Sequence, residues 1–308
     1  MTHRLVLLAL VAALGFVDVP RQARPERASG HVLIDAVAID RNGAPVPDLR
    51  PEDLEVWIGG YRVPIETLTA VSTADATGRS IALFLDDVTL DPALVPRARE
   101  AARRFVNKMM PEDRMAVVTL SGVSVESTGD RGRLARSLDA YSVRASALTR
   151  PDMLAERVLA TIASLSGQLA EGREQRKTIV AIGNAWVFDT PIPPPAIGRD
   201  LRREWTEAMR AMALANVTLY VIDPGGVGGT RTNGGTSGFA RETGGFAFAN
   251  TNDLNDAADR ILREAGSYYL IEVADPPVGR KADLRELDVR VLRPGVSVRA
   301  RRAIPGTR

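Results

Sequence analysis

The 308-residue chain contains no cysteine, which excludes disulfides, thiolate metal centres, cysteine nucleophiles and lipidation at cysteine together. Histidine is almost as scarce, with only His3 and His31. Neither falls in the middle of the chain, so a serine–histidine pair or a histidine-based zinc site there has no base or ligand to use. Lysine occurs only at Lys108, Lys177 and Lys281. The glycine-rich stretch Gly225 to Gly238 therefore lacks the lysine of a phosphate loop and reads as a low-complexity connection, with no obvious helix opening from it. Aromatic residues are few, and Trp57, Trp186 and Trp205 stand alone. Positive charge is carried by arginine, yet the net charge is only +2. The arginines are dispersed among carboxylates except in the tail from Arg290 to Arg308, which argues for a mixed solvated surface and against a nucleic-acid footprint.

Long apolar runs are also missing, apart from Leu5 to Val17. That run is too short to span a bilayer comfortably. It follows the basic start Met1-Thr2-His3-Arg4, and Pro20 and a polar stretch to Ser29 end it, which is the layout of a cleavable export signal with Ala23 and Ala28 as candidate cleavage points. An uncleaved anchor is the alternative. The expected location is periplasmic or extracellular, with no membrane span after signal removal.

What remains is an ordinary globular composition, 45% hydrophobic and 25% charged, enough for a sizeable core. From 29 to 78 the chain carries strand and turn punctuation: His31 to Ile39, the turn at Asn42-Gly43, then short β-prone runs on either side of Gly59-Gly60. From 79 to 266 apolar runs alternate with amphipathic helices. Ser80 to Leu85, Met115 to Leu120, Thr178 to Ile182 and Val217 to Ile222 are continuous apolar strands of the kind buried on both faces of a parallel sheet. Asp91-Pro92 reads as a helix cap with proline at the first helical position. From 267 to 308 the chain reverts to strands. The spacing predicts an α/β domain with a mostly parallel sheet, flanked by β-rich ends that pack together as one small sandwich, after a signal and linker over 1–28.

In order along the chain, DRNGAPVPDLRPEDLEVWIGG (Asp40 to Gly60), LFLDDVTLD (Leu83 to Asp91), EDRMAVVTLSG (Glu112 to Gly122), RETGGFAF (Arg241 to Phe248) and SYYLIEV (Ser267 to Val273) resemble the von Willebrand factor A-related proteins of some bacteria. The resemblance covers most of the chain beyond the signal. It implies a Rossmann-like A-type domain whose functional edge lies at the C-terminal strand ends, where ligands sit in open α/β sheets on general grounds.

In A-type domains a D-x-S-x-S loop, a threonine and an aspartate from three loops hold a divalent cation, for which Mg²⁺ with hard oxygen ligands is the natural choice. Here the motif is damaged. With Asp86 as the first aspartate, Val88 and Leu90 occupy the serine positions and offer no ligand. Shifted by one, Asp87, Thr89 and Asp91 all carry oxygen, although Asp91 has the competing duty of helix cap. A strand apolar on both faces gives no alternation to set the register. Thr149 stands near the second-loop threonine, and Asn184 stands where the third-loop aspartate is expected. The reading adopted is a site that keeps the fold and has lost the ion, with a retained cation as the alternative. Trp186 and Phe188 follow the third loop and are candidate contact residues for a partner.

The expected function is non-catalytic: binding of a protein or an extracellular polymer at the edge formed by the Asp86–Asp91, Thr149 and Asn184–Phe188 loops. A structural role in the cell envelope through the β segments is the first alternative. A hydrolase using Asp86 and Asp87 as an acid/base couple is the second.

Overall fold

The computed structural model describes residues 30–72, 78–144, 151–171, 176–183, 201–227, 234–249 and 251–306. Its centre is a six-stranded sheet made of β5 (Ser80–Leu85), β6 (Arg114–Thr119), β7 (Ser124–Thr128), β8 (Lys177–Ile182), β9 (Val217–Ile222) and β10 (Ala247–Phe248), in the spatial order β10-β9-β8-β5-β6-β7. All neighbours run parallel except β7, which returns antiparallel along β6. Numbered by appearance within the sheet, this is the doubly wound order 3-2-1-4-5-6 read from its far edge. The chain reverses its direction of progress between β5 and β8, so the switch point lies beyond Leu85 and Ile182, which are paired in register.

The continuous apolar strands follow from burial on both faces. Ile81, Leu83 and Leu85 pack with α1 (Val95–Asn107), α2 (Arg131–Asp139) and α6 (Leu254–Gly266). Ala82 and Phe84 point the other way, among α3 (Pro151–Ala170), α4 (Arg202–Ala215) and α5 (Gly234–Glu242). Burying each large side chain contributes roughly 1.5–3 kcal/mol against exposure. Asp91 caps as its sequence context predicts: its carboxylate accepts from Ala93 N at 2.9 Å, ahead of a 3-10 turn at Pro92–Leu94 that leads into α1. Two elements depart from the sequence reading. The helix α5 begins at Gly234, inside the stretch read as loop, and β7 was not expected, four of its five residues being polar and three of the five exposed.

The two ends of the chain pair strand to strand. Here β1 (His31–Asp40) lies between β11 (Tyr268–Ala274) and β13 (Val296–Ala300), with β4 (Ile65–Val71) outside β11. A second sheet runs β14-β12-β2-β3, from Ala303–Pro305, Leu284–Val291, Leu54–Ile58 and Tyr61–Val63. Ile34, Val56, Ile271, Leu287 and Ile304 belong to one buried cluster drawn from both sheets.

This β lobe is fastened at the N-terminal end of the parallel strands by buried charge. Asp35 of β1 lies between Arg176, just before β8, and Arg301, just after β13, at 3.3 and 3.4 Å. Arg301 also donates to Asn216 Oδ1 at 2.6 Å, immediately before β9. Arg176 donates to the Tyr220 hydroxyl at 3.1 Å, and that hydroxyl donates to Glu264 at 3.2 Å. Glu264 is paired in turn with Arg299 of β13. With the β lobe held there, the C-terminal strand edge is left on the opposite side of the sheet.

Candidate functional edge

The chain leaves β5 at Leu85, and Asp86 is the first residue beyond the strand; its N–H still donates to Ile182 O across the switch point, at 3.0 Å. Both aspartates are buried at 1% exposure, so each carboxylate needs donors from the chain itself. Asp86 folds back on its own loop, with Oδ1 accepting from Val88 N at 3.1 Å and Thr89 N at 2.8 Å, and Oδ2 accepting from the Thr89 hydroxyl. Burial pushes the Asp86 carboxyl above the usual carboxylate range, and the Thr89 and Val88 donors offset only part of that.

Asp87 turns towards the loop after β6. Its Oδ1 accepts from Ser121 N at 2.8 Å, and its Oδ2 accepts from Ser121 Oγ at 2.5 Å. Thr119 Oγ1 lies 3.1 Å from Ser121 Oγ and accepts from Val123 N, which closes that loop on itself. A third segment joins them: the Tyr141 hydroxyl donates to Asp86 O at 2.7 Å, and Arg144 N donates to Asp87 O at 2.7 Å. The Arg144 side chain, 54% exposed, places Nε 3.8 Å from Asp87 Oδ2. Asp223, buried at the end of β9, accepts from Gly225 N at 2.7 Å.

These placements bear directly on a cation. Asp86, Asp87 and Thr89 are brought together, but each is directed into the chain. In one register Leu90 belongs to the apolar core on the α1 face of the sheet and Val88 packs half-buried against the core on the other face. In the other, the Thr89 hydroxyl is committed to Asp86 and the Asp91 carboxylate to its helix cap. Each carboxylate oxygen of Asp86 and Asp87 thus already accepts a hydrogen bond from the chain, with which a divalent ion at this edge would have to compete. Thr149, Asn184, Trp186 and Phe188 lie outside the described residues, as does the export signal. Among the described residues, the only three histidine and carboxylate side chains close enough to share an ion are His31, Glu66 and Glu272 on the β lobe.

Around this edge three apolar side chains stand exposed among polar ones. Val123 in the β6–β7 loop is 44% exposed, Val227 after β9 is 65% exposed, and Met153 in the first turn of α3 is 43% exposed. A groove of about 450 Å³ lies elsewhere, between α1 and α6, lined by Arg99, Arg103, Arg104 and Asn255. The arginines lining it are engaged: Arg103 and Arg104 with Asp139 and Asp259, Arg99 with Tyr141 O. Ser121, Tyr141, Arg144 and Asp223 were not singled out from the sequence. A serine directly after an apolar strand was the available cue for Ser121, and nothing local marks Arg144. Among the described residues no helix is long and apolar enough to cross a membrane.

Neither a protein-family model nor a curated protein matches the chain. Among solved structures it is similar to an aerotolerance-related membrane protein from Bacteroides fragilis carrying multiple mutations to serine, at 15% identity and a TM-score of 0.42, over 61% of this chain and 98% of that one. It is also similar to the human COPII-coat protein Sec24c, at 8% identity and a TM-score of 0.36, over 87% of this chain and 49% of that one.

Proposed function

We propose that the chain is a non-catalytic binding module of von Willebrand factor A type, exported, that engages another protein or an extracellular polymer through the C-terminal edge of its parallel sheet without a resident cation. The observation that carries this reading is that Val123, Val227 and Met153 stand exposed at the same strand-end edge where the Asp86 and Asp87 carboxylates are buried and hydrogen-bonded within the chain. Apolar side chains standing clear of a rigid base suit contact, because burying them gains free energy without reorganising what lies beneath. The same burial argues against hydrolysis by Asp86 and Asp87. Their carboxylates face different loops and are engaged by different donors, so they do not form a couple aimed at one reacting atom.

Because the chain has no cysteine, a single introduced thiol is unique. Val123→Cys and Val227→Cys, each carrying a photo-activated cross-linker, should give a discrete adduct in the secreted or periplasmic fraction of the producing cells. Cross-linkers at Leu33, Tyr61 and Leu292, exposed on the β segments, should not. Adducts from the second set alone would instead support the assembly role of the β lobe.

A further inference from the structure

The one histidine among the described residues stands at the start of β1, beside two glutamates from neighbouring strands. His31 is opposite Ala274, and Glu272 is opposite Leu33, so the two side chains meet on a diagonal between β1 and β11. Glu66 arrives through an irregularity in β4. Glu272 pairs with Thr67 but Val273 pairs with Ile65, which leaves Glu66 as the extra residue of a bulge. Strict alternation would send Glu66 and Thr67 to opposite faces, and the bulge re-aims the chain so that both reach the same corner of the sheet. There Thr67 Oγ1 donates to Glu272 Oε2 at 3.1 Å, and Glu272 Oε1 lies 3.6 Å from His31 Nδ1. Glu66 Oε2 lies 2.8 Å from the same nitrogen.

Two features set this corner apart from an ordinary surface ion pair. Its charge is unbalanced: in a chain with 40 lysines and arginines, neither glutamate pairs with one of them among the described residues, and a single imidazole faces both. Its spacing is that of a coordination shell. Tetrahedral zinc with nitrogen and oxygen ligands at about 2.0–2.2 Å keeps those ligand atoms roughly 3.4 Å apart. The distances from Nδ1, 2.8 and 3.6 Å, bracket that separation, and all three ligand atoms lie within 4.8 Å of one another.

We propose that His31 Nδ1, Glu66 and Glu272 hold a divalent transition-metal ion of the zinc type on the β lobe. Ile271 and Val273 on either side of Glu272 point into the inter-sheet core, so the site lies on the outer face. The three side chains are 41%, 38% and 39% exposed, and an ion reaches them from solvent. An imidazole ligand favours such an ion over Mg²⁺ or Ca²⁺, which take oxygen. The ion replaces any proton between the imidazole and Glu66, because a ligating nitrogen is unprotonated. Thr67 steadies Glu272 from behind, as hydrogen bonds to ligating carboxylates do. Three protein ligands leave a fourth position for water. No residue of the strand-end edge takes part, so the site does not depend on the binding role proposed above.

The test is calorimetric titration of the purified chain, carrying no polyhistidine tag, with Zn²⁺ and separately with Mg²⁺. Zn²⁺ should bind saturably at one ion per chain, and Mg²⁺ should give no saturable signal. His31→Ala, Glu66→Gln and Glu272→Gln should each weaken Zn²⁺ binding at least tenfold while leaving the metal-free melting temperature in place. His3→Ala, and Leu33→Ala at an exposed residue of the same strand, should leave binding unchanged. Absence of saturable Zn²⁺ binding overturns the proposal, as does binding that survives His31→Ala or that is lost with His3→Ala.

Discussion

Replacing Asp35 with alanine tests whether buried charge fastens the β lobe to the α/β core. The side chains of Asp35, Arg176 and Arg301 are 4%, 2% and 5% exposed, so both guanidiniums would keep their charge with the shared carboxylate gone. Arg176 would retain the Tyr220 hydroxyl and the face of the Tyr268 ring, and Arg301 the Asn216 and Met212 carbonyls. These groups are neutral, although Glu264 still offsets part of the Arg176 charge through space. Removing one partner from a buried ion pair costs about 3–5 kcal/mol, a large part of the roughly 5–15 kcal/mol that holds a domain folded. At roughly 2–4 °C per kcal/mol for a chain of this size, Tm should fall by about 6–20 °C. Urea unfolding followed by fluorescence can read the two lobes separately, since Trp57 lies on β2 and Trp205 on α4. With Trp186 changed to phenylalanine, Asp35→Ala should lower the Trp57 midpoint and separate it from that of Trp205. A loss under about 1 kcal/mol with coincident transitions would show that apolar packing holds the lobes together and that the charge cluster is incidental.

Addition of 10 mM Mg²⁺ should leave the melting temperature within about 1 °C of its value in EDTA, whereas a site filled to a hundred times its dissociation constant would add about 2.7 kcal/mol; a larger shift that Asp86→Ala abolishes would restore the cation to the edge. Any stabilisation by Zn²⁺ should instead disappear with His31→Ala, because His31, Glu66 and Glu272 are the described residues able to share an ion. The hydrogen bond from Arg104, with a further one from Lys108, holds Asp259 down to about 2. A depressed carboxyl stabilises the fold above its unfolded value near 3.8 and loses that contribution as pH falls towards 2, so Asp259→Asn should flatten the acid limb of a stability–pH curve over that window. Gly245→Ala should cost at least about 1–3 kcal/mol in urea unfolding, since its added carbon would stand 1.9 Å from Leu219 O; an unchanged midpoint would mean that the backbone before β10 yields easily.

The core strands were legible because burial on both faces leaves a simple trace, an unbroken apolar run such as SIALFL or VTLYVI bounded by polar residues. Asp91 was legible as a cap because its carboxylate acts only two residues away. The arrangement of Asp86 and Asp87 was not, because it depends on which donors arrive from elsewhere: Ser121 lies 34 residues from Asp87, and no local pattern records that meeting. β7 escaped because an edge strand buries little and so carries little hydrophobic pattern. The pairing of the chain ends was a guess from economy, and the register that realises it, Ile34 opposite Ile271 and Ala38 opposite Val298, could not have been read from either segment alone.

That pairing sets an order in time as well as in space. His31 faces Ala274, and Asp40 faces Val296, so the first described strand lacks its neighbours in the sheet until β11 and β13 have been synthesised. At roughly 5–20 residues per second, β1 waits on the order of ten to fifty seconds for β11 and β13. The α/β core, whose strands lie between Ser80 and Phe248, has its whole sequence in hand before the lobe that brackets it. Folding should therefore proceed from the inside of the sequence outward, with closure of the β lobe as the last step and the one most exposed to interception by chaperones, proteases or a second nascent chain.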